Sequence, residues 1–318
     1  MTKPGHREVE HEITVGAPAD AVYELIEKVA NWPRLFPPTV HAEQVELDGS
    51  TERIRIWATA NGTAKSWTSR RELDPEGRRI TFRQEVSAPP VAAMGGTWLI
   101  EPLSGTESRV RLLHDYRAVD DAPEGLAWID AAVDRNSTAE LAALKANVEL
   151  ATASADGDEG LMFSFEDTVR IAGSAKDVYD FLNEADRWPE RLPHVATTTL
   201  TEDSPGLQVL RMDTRTKDGA THTTESIRVC FPHSRILYKQ ITLPKLMTLH
   251  TGCWTLTEVD GGVEATSQHT VVLNPATVEE VLGAGAGIPE ARVYVKNALS
   301  GNSRATLGYA KDHAEGRR

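Results

Sequence analysis

Cysteine is nearly absent. The chain carries only Cys230 and Cys253, which excludes a disulfide scaffold and a cysteine-cluster zinc site. Long apolar runs are missing too: no stretch approaches the roughly 18 to 20 residues that cross a bilayer as a helix. The opening residues, MTKPGHREVEHE, are polar and acidic without an apolar core, so no secretion signal is read there and the expected compartment is the cytoplasm. Basic charge is in deficit. With 34 Lys and Arg against 47 Asp and Glu, the net charge is −13. That balance disfavours nucleic acid and anionic membranes as partners, since both select a basic face. The ten histidines show no HxH or HExxH spacing, and neither GxGxxG, GxxxxGK[ST] nor GxSxG occurs. The run Gly283-Ala-Gly-Ala-Gly287 lacks the spacing of a dinucleotide loop. No metal and no cofactor is therefore expected.

What the sequence does contain is a copy of itself. Tyr23 and Tyr179, Trp32 and Trp188, and Trp98 and Trp254 are each 156 residues apart. Around them PADAVYELI recurs as SAKDVYDFL, and NWPRLFP as DRWPERLP. Ser69 and Arg71 recur as Ser226 and Arg228 at a spacing of 157, His114 as His269 at 155, and Asn136-Ser137 as Asn302-Ser303 at 166. A chain of 318 residues at roughly 150 per domain thus reads as two copies of one domain. The first spans residues 1–150 and the second 161–318. The small, acidic stretch 151–160 reads as the linker.

Each copy predicts the same elements. His11–Val15 alternates as a strand, and Asp20–Lys28 has helical spacing of Val22, Leu25 and Ile26. Trp32-Pro33 opens a second short helical piece that Pro37-Pro38 stops. Six strands follow, at Ala42–Leu47, Arg53–Thr59, Lys65–Leu73, Arg79–Val86, Gly95–Pro102 and Arg109–Tyr116. A long helix closes the copy over Pro123–Leu150, and its counterpart spans Pro289–Ala314. The fold class is α+β: a curved seven-stranded antiparallel sheet around a C-terminal helix, twice in tandem, each with a cavity between helix and sheet.

The strand Lys65–Leu73 is the most informative. Alternation puts Trp67, Ser69, Arg71 and Leu73 on one face. Trp and Leu make that the inner face, so Ser69 and Arg71 point inward. A buried arginine needs an anionic or polar partner: either an internal Asp or Glu, or a ligand. Ser226 and Arg228 repeat the arrangement. Trp98 and Trp254 are either core packing or an aromatic wall for a flat ligand. Trp32 and Trp188 read as packing residues. His114 and His269, on the last strand, are either structural or acid–base groups. Gln84, Tyr116, His222, Tyr238, Gln240 and His250 are further candidates to line the cavities.

These segments, together with the Trp-x-Ser-x-Arg strand and the duplication, resemble the di-domain aromatase/cyclases of bacterial type II polyketide synthases, within the START/Bet v 1 helix-grip superfamily. The resemblance implies cofactor-independent first-ring aldol closure, between C7 and C12, and dehydration of a C9-reduced poly-β-ketone. It implies acyl carrier protein and other synthase components as partners. Arg71 and Ser69 take the family's pocket positions, with Trp67 and Trp98 as aromatic walls, and Arg228 and Ser226 are their counterparts. Lys65, Arg70 and Arg34 are candidates for a basic rim that would receive the acidic carrier. The second copy has Thr224 where the first has Trp67. The fuller aromatic lining predicts that the first cavity does the larger share of cyclisation. The second would then support the fold or take a later step such as dehydration. A non-catalytic lipid- or hormone-binding module is the alternative, and the inward Ser-x-Arg pairs speak against it.

Overall fold

A computed structural model describes residues 6–153, 160–215 and 221–316. The chain divides into two compact units, residues 1–158 and 159–318. In the first, β1 (His6–Val15) leads into α1 (Ala19–Glu27) and the single-turn α2 (Trp32–Leu35). Six strands follow: β2 (Thr39–Asp48), β3 (Thr51–Ala60), β4 (Thr63–Asp74), β5 (Arg79–Val86), β6 (Val91–Pro102) and β7 (Ser108–Ala118). The closing helix is α3 (Pro123–Ala153). It continues three residues past the expected end at Leu150, into the stretch read as linker, and residues 154–159 lie outside the described residues.

The strands form one antiparallel sheet in the order β1-β7-β6-β5-β4-β3-β2. This is a meander whose last strand returns to pair with the first. Asn61, with φ 50°, and Gly62, with φ 77°, make the tight turn between β3 and β4, as that dipeptide's tolerance of the left-handed region predicts. α3 presents Ile129, Val133, Leu141, Leu144 and Val148 to the sheet, all buried, with Ser137 also buried in the gap between them. The apolar core gathers where α1 packs beneath the C-terminal half of α3. It contains Val22, Ile26, Ile80, Leu112 and Leu144.

The second unit repeats this plan. Its strands are β8 (Met162–Ile171), β9 (Val195–Ser204), β10 (Leu207–Arg215), β11 (Thr221–Phe231), β12 (Arg235–Thr242), β13 (Met247–Val259) and β14 (Gly262–Leu273). They are ordered β8-β14-β13-β12-β11-β10-β9. The helices are α4 (Ala175–Asn183), α5 (Trp188–Arg191), α6 (Val278–Leu282) and α7 (Ile288–Ala314). Ser174 caps α4 by accepting from the Asp177 backbone N–H at 3.1 Å. α6 stands in the longer connection before α7, which accounts for the repeat spacing widening from 155 to 166. Both units are helix-grip folds.

Candidate active site

In the first unit the space between sheet and α3 is a cavity in two adjoining lobes of about 830 and 600 Å³. Both lobes touch Trp32, Trp67, Gln84, Met94, His114 and Glu140. Ser69, Arg71 and Trp98 line the inner lobe. Strand parity explains the arrangement: Ser69 and Arg71 are buried while Arg70 and Glu72 are exposed on the other face. Arg70 therefore projects away from the cavity, 3.7 Å from Glu72, and is not part of its rim. Lys65 does line the cavity. Arg34 bonds Asn31 at 2.9 Å.

Arg71 is 1% exposed and meets an internal carboxylate, the first of the two readings offered for it. Its Nε lies 3.2 Å from Glu52 Oε1, an internal ion pair with a buried carboxylate. The register places Glu52 directly opposite Arg71 across the β3–β4 hairpin. Nη2 donates to the carbonyls of Ile26 at 3.4 Å and Glu27 at 3.1 Å. These are the last residues of α1, where the helix dipole favours a cation. The guanidinium carbon sits 5.2 Å from the centroid of Trp32, and Trp32 itself is fixed by donating to Ile26 O at 2.9 Å. Nη1 is buried without a partner, so the group keeps donors for a ligand. Burial pulls the Arg71 pKa down, opposed chiefly by the charge of Glu52.

Trp98 is at once a core residue and a lining residue. It stacks on Phe36 at 5.7 Å. Gln84 Nε2 lies 3.5 Å from Met94 Sδ, and Gln84 Oε1 accepts from Ser87 Oγ at 2.8 Å. His114 meets Phe82 edge-on at 5.5 Å, and its Nδ1 is buried without a partner. Burial, helped by the charge of His11, holds its pKa down at about 4, so the ring is neutral at pH 7. Tyr116, expected to line the cavity, does not. It packs with Ala118, Ile129 and Val133, and its hydroxyl donates to Asp130 at 2.6 Å.

The second unit holds a cavity of about 860 Å³ touched by Ser226, Arg228, Trp254, His222, Tyr238 and His269. These six second-copy candidates, together with Gln240 and His250, thus converge on one site. Arg228 is 2% exposed. Its Nη2 donates to Leu182 O at the end of α4, at 2.7 Å, and its guanidinium lies 5.5 Å from the Trp188 centroid. Here the opposite residue across the hairpin is Gln208, not a glutamate. Arg228 Nη1 is buried and unpartnered.

This cavity also carries a polar chain that the first one lacks. Ser267 donates to Ser303 at 3.1 Å, and Ser303 Oγ lies 2.7 Å from His269 Nε2. His269 Nδ1 lies 2.9 Å from His250 Nε2 and 3.2 Å from the Tyr238 hydroxyl. His250 Nδ1 ends the chain 2.9 Å from Gln240 Oε1. One tautomer set satisfies it throughout: Ser303 donates to His269, His269 to His250, and His250 to Gln240. Burial holds His250 down at about 3 and His269 at about 4. Burial also raises the Tyr238 phenol and pulls His222 down. At the matching positions the first unit has Leu112, Ser137, Met94 and Phe82 beside His114. The Ser137 hydroxyl there is buried and unpartnered.

Two site features escaped the sequence reading. Glu52 could have been found from alternation along β3, which puts it on the same face as the buried Ile54 and Ile56. Ser267 and Ser303 look like small core residues until the sheet is folded onto α7. Their meeting point has no local signal.

The family model described as polyketide cyclase / dehydrase and lipid transport matches the chain twice, over residues 6–149 and 162–315. The chain belongs to the polyketide cyclase/dehydrase family. It is 53% identical to the granaticin polyketide synthase bifunctional cyclase/dehydratase of Streptomyces virginiae, over 94% of this chain and 97% of that one. Among solved structures, the di-domain aromatase/cyclase BexL of the BE-7585A biosynthetic pathway is 67% identical. It matches with a TM-score of 0.86 over 97% of this chain and 99% of that one. The di-domain StfQ of the steffimycin pathway is 36% identical, with a TM-score of 0.84 over the same shares. The chain is a cyclase/dehydratase of this family, built as a di-domain aromatase/cyclase.

Proposed function

We propose that the chain directs aldol closure of the first ring, between C7 and C12, and then the dehydration of a C9-reduced poly-β-ketone carried on an acyl carrier protein. The observation that carries this reading is the pair of cavities. Each places a buried arginine with an unused N–H beside aromatic walls and a neutral histidine.

The chemistry asks for those groups. Closure begins when a base removes an α-proton and leaves an enolate. The enolate carbon attacks a ketone carbon, the new C–C bond forms, and the ketone oxygen becomes an alkoxide that takes up a proton. A fixed guanidinium N–H stabilises that developing charge. The aromatic walls hold the chain folded and gain from stacking once a ring exists. Dehydration then removes a second α-proton and expels the hydroxyl with a proton as water. The first cavity, with Trp67 and Trp98, suits folding and closure. The second, with its Ser303–His269–His250 chain and the protonated Tyr238 phenol, suits the proton transfers of dehydration. The candidate roles follow: Arg71 and Ser69 with His114 in the first cavity, and Arg228 and Ser226 with His269 in the second. Aromatisation drives the sequence, and no step calls for a cofactor.

The direct test is a minimal type II synthase reconstituted with a ketoreductase. Adding this protein should convert a mixture of spontaneously closed products into one aromatic product with a C7–C12 first ring. If the product mixture is the same with and without it, while the protein still binds the chain, it acts as a non-catalytic ligand carrier.

A further inference from the structure

The two cavities differ by one charge. In the first, Arg71 is matched by Glu52 at 3.2 Å, and Glu140 and Lys65 also face the space. Two cations thus meet two carboxylates. In the second, every one of these positions except the arginine has changed. Gln208 stands where Glu52 does, Thr306 where Glu140 does, and His222 where Lys65 does. No aspartate or glutamate touches the second cavity among the described residues. Arg228 has no carboxylate in ion-pair reach among them either. The acid nearest in effect, Glu202, is engaged by Gln208 Nε2 at 2.7 Å and by the Gly206 N–H at 2.8 Å. The four lining histidines, His194, His222, His250 and His269, are all shifted toward the neutral form by burial.

A buried guanidinium without a counter-charge is costly, unless a ligand supplies one. From this we infer that the second cavity is an anion pocket for a planar, negatively charged ring system, an enolate, phenolate or aromatic carboxylate. Gln208 sets that preference by leaving Arg228 unneutralised, and Glu52 removes it from the first cavity. Arg228 lines the cavity and its Nη1 is unpartnered, so its guanidinium is the group that meets the anion. Gln208 and Glu52 act through their arginines and touch no ligand. The inference concerns binding alone and depends on no step of the reaction.

Two probes of one shape separate charge from fit: 2-naphthoate, ionised at pH 7.5, and uncharged 2-naphthamide. Calorimetry on the full chain should find one site preferring naphthoate by about tenfold or more, the scale of one charge-assisted contact. Gln208→Glu should abolish the preference while leaving naphthamide affinity in place. Glu52→Gln should create a second naphthoate site. Equal affinity of the two probes for the unaltered protein would overturn the assignment. So would a naphthoate preference that survives in folded Gln208→Glu. If Gln208→Glu does not fold, Glu52→Gln decides: a second anion site supports the assignment and its absence refutes it.

Discussion

At Arg71 and Arg228 one residue type in one place has two electrostatic situations. Both guanidiniums cap a helix C-terminus and lie on a tryptophan. Only Arg71 has a buried carboxylate opposite. Removing Arg71 alone would leave Glu52 charged and buried, at a cost of roughly 3 to 5 kcal/mol. Arg71→Gln with Glu52→Gln is therefore the clean variant for the first cavity, and thermal melts should show it more stable than Arg71→Gln alone. The histidine chain gives a pH prediction. His250 and His269 are held down at about 3 and 4, well below the free imidazole value, so the unfolded chain takes up their protons first. Their contribution is intact above about pH 6.5 and is lost as the pH falls toward 4, on the order of 2 kcal/mol per buried imidazole by pH 5. Melting temperatures between pH 7 and pH 5 should fall, and fall less steeply in His250→Gln. A parallel slope in the two proteins would mean that His250 does not titrate in that range.

Among the elements, β4 was the most legible. Its alternation placed Ser69 and Arg71 inside, and the burial pattern of the strand agrees. The last strand was less so, because parity near its end does not reveal depth. Tyr116 points inward, as the alternation suggests, and still misses the cavity because α3 covers it through Ile129 and Val133. The Ser267–Ser303 contact joins a strand to a helix 36 residues away, and such long-range pairs leave no periodic trace. Strand–strand spacing also explains two matched glycines. A Cβ on Gly96 would lie 2.0 Å from the Leu113 carbonyl oxygen and 2.6 Å from Phe82. On Gly252 it would lie 2.3 Å from the Tyr238 ring. Backbone cannot yield as a side chain can, so Gly96→Ala should destabilise more than Gly252→Ala. Overpacking of this kind typically costs about 1 to 3 kcal/mol. Chemical denaturation ranks the two, and the reverse order would show that Tyr238 is the more tightly held neighbour.

Over the whole molecule, duplication has kept the scaffold and freed the pockets. The two sheets share one strand order, and the family model fits each unit, so repeat spacing alone was enough to read the architecture. Pocket divergence was half legible: Trp67 against Thr224 showed in the sequence, whereas the loss of a counter-charge required knowing which residue faces each arginine. The central claim is that the first cavity closes the ring and the second removes water. It is tested most directly in the reconstituted pathway by comparing the Arg71→Gln, Glu52→Gln double variant with Arg228→Gln, reading product masses and ring pattern. The double variant should scatter the ring-closure products. Arg228→Gln should retain the correct first ring but accumulate the product one water heavier, with dehydration slowed about a hundredfold. If Arg228→Gln scatters ring closure while the double variant leaves it intact, the two cavities have the opposite assignments.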